Sequence, residues 1–219
     1  MDSSEQVGRA VKQLAAQVYS GLHGSGLRVE PVVELACLME EYGLSGSAVR
    51  EILERRTAEL GPADVVRLGR ELLELMDFEP GFDLEPGWWA TLETAAKVVE
   101  GDLRASGIEG ALGITMPDWD DSGCARVEFR GACGSPPIWP SSGKDIGVAL
   151  AEVADATQDE VMEVTWMVWP TCPEHRLGLH ADLVEGTAVW QCAGGGTHVA
   201  ARIGELGGSS RRRDVRPST

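Results

Sequence analysis

Residues Trp169 to His180 read WPTCPEHRLGLH and bring together Cys172, His175 and His180, three of the nine thiol and imidazole side chains in the chain. Thiolate sulfur and neutral imidazole nitrogen are the donors that suit Zn2+. Cys172 and His175 are spaced C-x2-H, so one tight turn can present both to a single ion. After sixteen intervening residues a second pair begins in VWQCAGGGTH, with Cys192 and His198 spaced C-x5-H. Two such pairs joined by a short β segment fit a tetrahedral Cys2His2 site, each pair on a turn and the strands between them closing the turns together. Gly194, Gly195 and Gly196 let the chain turn tightly and let backbone amides approach thiolate sulfur. The expected ligands are therefore Cys172, His175, Cys192 and His198, with Zn2+ as the cofactor. The x5 spacing is longer than the usual second pair, which leaves open whether His198 or His180 is the fourth ligand. Four protein ligands make a closed structural site. Three would leave a position for water, open the way to metal-assisted hydrolysis and make His180 a candidate proton shuttle.

On Trp169, Pro170, Cys172, Pro173, His175, Trp190, Cys192, His198 and Val199 the segment resembles a zinc ribbon, and in particular the C-terminal ribbons of uncharacterised bacterial proteins with a W-P-x-C-P-x-H … W-x-C … H-V pattern. The resemblance covers about forty residues and implies a fold element and a metal, not a substrate.

Composition narrows the function classes. The formal charge is −16 over 219 residues, and residues 207–219 (GGSSRRRDVRPST) carry four Arg against one Asp, a surplus of three that leaves −19 on residues 1–206. A body of that sign repels phosphate backbones, so nucleic-acid binding is not expected. Only Lys12, Lys97 and Lys144 supply lysine, and with the abundant Ala, Gly and Val this fits a GC-rich bacterial genome. No window approaches a membrane span, and MDSSEQVGRAVKQ lacks the basic start and apolar run of a signal peptide, so a cytoplasmic location is expected. Five cysteines without a secretory signal fit reduced thiols or metal ligands better than a disulfide framework. Cys37, within an apolar helical run, is expected in the core, and Cys124 and Cys133 show no paired metal spacing.

Other motifs are incomplete. PSSGKD (Pro140–Asp145) has the Gly-Lys of a phosphate loop, but Ile138 stands where the first Gly is required and Asp145 where Ser or Thr is, so capping explains it better. DWDDSG (Asp118–Gly123) starts like a calcium loop, but Phe129 occupies the position of the closing Glu, and a solvated hairpin turn is expected. No Ser/His/Asp order or G-x-S-x-G elbow is present. Of seven Trp, those at 88, 89, 166, 169 and 190 are expected to pack as core, whereas Trp119 and Trp139 fall in loops and are candidate interaction residues.

The elements that must position these residues read as follows. Apolar spacing from Glu5 to Leu22, Pro31 to a Gly43 stop, AVREILERRTAEL behind a Ser45 or Ser47 cap, and GPADVV onward to Met76 predict four helices. An acidic loop, Asp77–Gly87, leads to a fifth helix, WWATLETAAKVVEGDLRAS. GALGITM and ARVEFRG then predict a β-hairpin, and SSGKDIGVALAEVADATQDEVMEVTW a long helix capped by Ser141 and Ser142. Short strands near Thr187–Gln191 and Val199–Ile203 complete the ordered chain. The expectation is an α+β protein: a helical N-terminal bundle (1–105), a β-hairpin plus long helix (107–168), a C-terminal zinc ribbon (169–206) and a disordered basic tail (207–219). With a structural metal and no catalytic set, its expected role is binding another protein. The alternatives are a metal-dependent hydrolase and an acidic inhibitor or immunity-type protein.

Overall fold

The structure, a computed structural model, describes residues 3–24 and 26–207. The basic tail falls beyond Gly207, outside the described residues. The chain divides into two compact units, Met1–Pro80 and Gly81–Thr219. Among the described residues there are six α-helices, one two-stranded and one three-stranded antiparallel sheet, which makes the protein mixed α+β. No described helix is long and apolar enough to cross a membrane.

The first unit holds α1 (Ser3–His23), α2 (Val29–Glu41), α3 (Ser47–Glu54) and α4 (Pro62–Leu75). One stripe of each faces a common core: Ala15 and Val18; Val32, Leu35, Ala36 and Met39; Val49 and Ile52; Val65, Leu68 and Leu72. Gly69 lets α4 approach closely, since a Cβ there would lie 2.8 Å from Leu27 Cδ2 and 3.3 Å from Val18 Cγ1. Two expectations are corrected here. Cys37 is exposed, because α2 buries positions 32, 35, 36 and 39 and a residue two beyond Leu35 points away from that stripe. The third helix stops at Glu54, where Arg55 turns extended and its guanidinium bonds Glu51, Asp64 and the Glu59 carbonyl, leaving Thr57–Glu59 as a separate 3-10 turn.

The second unit contains α5 (Pro86–Ala105), the β1 (Leu112–Thr115) and β2 (Arg126–Phe129) hairpin, α6 (Ile146–Thr165), and the sheet of β3 (His180–Val184), β4 (Thr187–Cys192) and β5 (His198–Arg202). Leu92, Ala95, Ala96, Val99 and Leu103 of α5 share a core with Val127 and Phe129 of β2 and Val153, Ala154 and Val161 of α6. The fifth helix thus belongs with the hairpin and α6, and the division between units falls in the acidic loop rather than at residue 105. The cap of α6 is Asp145, whose Oδ1 accepts from the Gly147 and Val148 amides at 2.8 and 3.0 Å; Ser141 and Ser142 lie one turn earlier in the 3-10 helix Pro140–Lys144. Gly143 in that turn is a packing residue: a Cβ would fall 2.5 Å from Trp88, and Lys144 Nζ sits 5.0 Å from the Trp88 ring centre.

The three-stranded sheet is one strand larger than expected. In β3 only Ala181 is half-buried, and the polar–apolar alternation of His180 to Leu183 spans just four residues, the shortest run that signals a strand. The β3 and β4 strands lie against α6. Because this segment has few apolar side chains, buried polar anchors from both helices hold it. Asp102 of α5 accepts from Trp190 Nε1 and Gly204 N at 2.7 Å and from Leu206 N at 2.9 Å. Gln158 of α6 donates from Nε2 to the carbonyls of Trp169 and Leu179 at 3.0 and 2.6 Å.

Candidate metal centre

Two turns build the site. In the first, a cis Trp169–Pro170 bond leads into a loop closed by the Thr171–Gly178 bridge. The Cys172 amide donates to Leu177 O at 2.7 Å and the Arg176 amide to Cys172 O at 2.8 Å, so the thiol and the His175 ring leave the same tight bend. The second turn follows β4. Cys192 is the last residue of that strand and pairs with His198, the first of β5, so the ladder itself sets these two residues side by side. Gly195 and Gly196 supply the positive φ values, +66° and +102°, that reverse the chain between them.

The glycines also make room. A Cβ at Gly194 would lie 2.8 Å from His175 Cγ, and one at Gly195 would lie 2.9 Å from His175 Nε2, so bare backbone forms the bed of the His175 ring. The Gly194 amide donates to Cys192 Sγ at 3.3 Å, the contact expected of a thiolate in a metal turn.

The four side chains converge: one ligand atom from each of Cys172, His175, Cys192 and His198 lies within 4.8 Å of every other, an arrangement that could hold a metal ion. His175 Nδ1 is 3.7 Å from Cys172 Sγ and 3.6 Å from Cys192 Sγ. His198 Nε2 is 3.7 Å from Cys172 Sγ. On its far side His198 Nδ1 donates to Gly196 O at 3.4 Å, which orients Nε2 as the free nitrogen facing the sulfurs. Both thiols are buried, His198 is half-buried and His175 lies at the surface.

The electrostatics suit a cation. Burial pushes the Cys172 thiol up, but the His175 and Glu174 amides, the His175 ring and the Cys192 thiol outweigh it and hold Cys172 down at about 6. At Cys192 the Gly194 amide pulls down, yet burial and the adjacent Cys172 sulfur carry that thiol above its ordinary value. Two thiolates so close repel each other, and a bound cation removes the conflict. His198 is raised by the Cys172 sulfur and by Gly196 O.

His180 takes no part in the cluster. It is exposed at the start of β3, where it opposes the raising of the Asp155 carboxyl by burial and by Asp159. Trp119 and Trp139 are indeed exposed, at 63% and 57%, with Arg126 stacked 4.7 Å over the Trp119 ring. The Asp118–Gly123 segment is a self-satisfied turn: Asp120 accepts from the Ser122 amide at 3.0 Å and from Arg126 Nε at 2.7 Å. Cys124 and Cys133 are free thiols. Trp166, expected in the core, is instead 89% exposed at the end of α6. Sequence reading passed over Asp102 and Gln158. Asp102 carried a signal, since it occupies the apolar stripe of α5 between Val99 and Leu103.

Compared with protein-family models, curated proteins and solved structures, the chain matches none.

Proposed function

We propose that Cys172, His175, Cys192 and His198 hold one Zn2+ as a closed structural site, that the segment from Trp169 to Leu206 is a zinc ribbon, and that the protein acts by binding another protein. The observation that carries the metal reading is the ligand spacing. Zn–S and Zn–N bonds of about 2.3 and 2.05 Å at a tetrahedral angle place sulfur and nitrogen about 3.6 Å apart. Three of the four sulfur–nitrogen separations are 3.7, 3.7 and 3.6 Å, and the fourth, Cys192 to His198, lies within 4.8 Å. Two thiolates and two imidazoles favour Zn2+ over hard cations, which take oxygen ligands.

Four protein ligands complete the tetrahedron, so no position remains for a water nucleophile, and a structural role follows over hydrolysis. Free thiols throughout agree with a reducing, cytoplasmic setting. The acidic body directs the search for a partner towards proteins with basic surfaces. Cobalt substitution tests the closed site. Tetrahedral Co2+ with two thiolates gives intense visible d–d bands and sulfur-to-metal charge transfer, whereas weak bands of a five- or six-coordinate ion would refute it.

A further inference from the structure

The second unit carries a groove of about 570 Å³ whose walls include Ile108, Met167, Val168, Trp169, Leu179 and Leu206. That volume lies within the range of ligand-sized sites. Thr171 and Pro173 also line it, the residues on either side of Cys172, so the metal turn forms one wall. The walls are fixed. Gln158 holds the carbonyls of Trp169 and Leu179, and Asp102 holds the Leu206 amide.

Immediately before Met167, helix α6 ends on Trp166 in the left-handed region, φ 58° and ψ 27°. Helices that end this way normally place Gly there, because a side chain is strained in that conformation. Here the position holds the largest side chain, 89% exposed, followed by Met167 at 55% and Val168 at 61%. The backbone is strained and the ring gains no burial, so the stability of the isolated chain accounts for neither choice. Strained positions that folding does not explain point to function, and three consecutive exposed apolar residues at a groove mark a docking surface. Aromatic anchors in such a surface carry most of a binding energy.

We infer that this groove docks a basic peptide segment of a partner protein, with an apolar side chain of that segment seated against the Met167–Trp169 wall and the neighbouring exposed Trp166 covering it from outside. The charge follows from the second unit itself, whose residues 81–206 hold 20 Asp and Glu against 7 Lys and Arg, a net −13 that attracts cationic segments and repels acidic ones. The inference deepens the protein-binding reading above and rests on the metal reading only for the Thr171–Pro173 wall.

The test is selection of a random dodecapeptide phage library on the zinc-loaded full chain. Enriched peptides are then synthesised and their Kd measured against wild type, Trp166→Gly, Val168→Asp and chelated protein. Expected are sequences combining apolar residues with Lys or Arg, with Kd weakened at least tenfold in both variants and on chelation. The melting temperature of Trp166→Gly stays at or above that of wild type, because Gly relieves the backbone, so loss of binding there is not loss of fold. No enrichment, peptides without cations, or equal affinity for Trp166→Gly would overturn the inference. Association of wild type with itself that is lost in Trp166→Gly would overturn it in favour of a second copy. Binding seen only after removal of residues 208–219 would do so in favour of the chain's own tail. Zinc content is measured on the same samples: zinc present with no Trp166-dependent binding refutes the groove alone, and zinc absent with Trp166-dependent binding refutes the metal reading alone.

Discussion

Asp102 on α5 and Trp190 on β4, 88 residues apart in sequence, are joined by a 2.7 Å hydrogen bond from the indole Nε1 to a buried carboxylate oxygen. The same carboxylate also accepts from the Gly204 and Leu206 amides. A single side chain thus secures both the central strand of the sheet that carries Cys192 and His198 and the segment that follows it. Replacing it by Ala leaves the buried Trp190 indole and two part-buried amides without their acceptor, and a buried donor left so costs about 1–3 kcal/mol. Allowing for relaxation, Asp102→Ala is expected to lower stability by about 3–5 kcal/mol. Denaturant unfolding of zinc-loaded protein measures it; a change below about 1 kcal/mol would show that the latch is not needed.

The glycine bed beneath His175 gives a sharper test of the centre. In Gly195→Ala the new Cβ lies 2.9 Å from His175 Nε2 and must adopt φ +66°, with a left-handed backbone cost of about 1–2 kcal/mol. Displacing a ligand ring in this way is expected to weaken zinc binding by about 10- to 100-fold. Competition with a chromophoric chelator reads the affinity, and an unchanged value would mean that the ring does not rest on this turn when metal is bound.

Acid sensitivity of the hairpin loop follows from Asp120. The Ser122 hydroxyl, Arg126 and the Ser122 amide hold its carboxyl at about 2, below the ordinary carboxylate value of about 3.9. A depressed carboxylate stabilises the folded state above the unfolded value and loses that contribution as pH falls through the folded one. The stability difference between wild type and Asp120→Asn is therefore expected to be constant above pH about 5 and to shrink between about 4 and 2. Unfolding curves for both proteins across that range decide it; a difference that grows on acidification would have the wrong sign.

Thiol accessibility separates the five cysteines. Cys37 is exposed and Cys133 half-exposed, whereas Cys124, Cys172 and Cys192 are buried. Maleimide labelling followed by peptide mapping is expected to modify Cys37 first and Cys133 next. Cys172 and Cys192 should stay protected until a chelator is added, and early modification of either would contradict metal ligation.

The helices were legible because their apolar stripes repeat with helical period, and the hairpin because LGIT and RVEF flank a polar turn. Cys172, His175 and Cys192 were legible from spacing, a C-x2-H turn followed after sixteen residues by a second thiol ahead of a glycine turn. Which histidine completes the cluster was not: His180 and His198 both suit the count, and only the placement of His180 on the exposed strand β3 separates them. The strand HADLV was hidden by an alternation only four residues long, and the α6 cap by three polar candidates in SSGKD of which only Asp145 has the extended backbone that capping needs. Trp166 misled for the opposite reason. Its residue type says core, yet it stands 89% exposed where α6 ends in the left-handed region.

The most direct test of the central claim is the metal content of purified protein by elemental mass spectrometry, beside Cys172→Ser, His198→Ala and His180→Ala, with thermal unfolding of each sample with and without chelator. One equivalent of zinc in wild type and His180→Ala, reduced in Cys172→Ser and His198→Ala together with melting temperature, is the expected result. Protein that holds no zinc, or that keeps its zinc in His198→Ala and loses it in His180→Ala, would contradict the proposed centre.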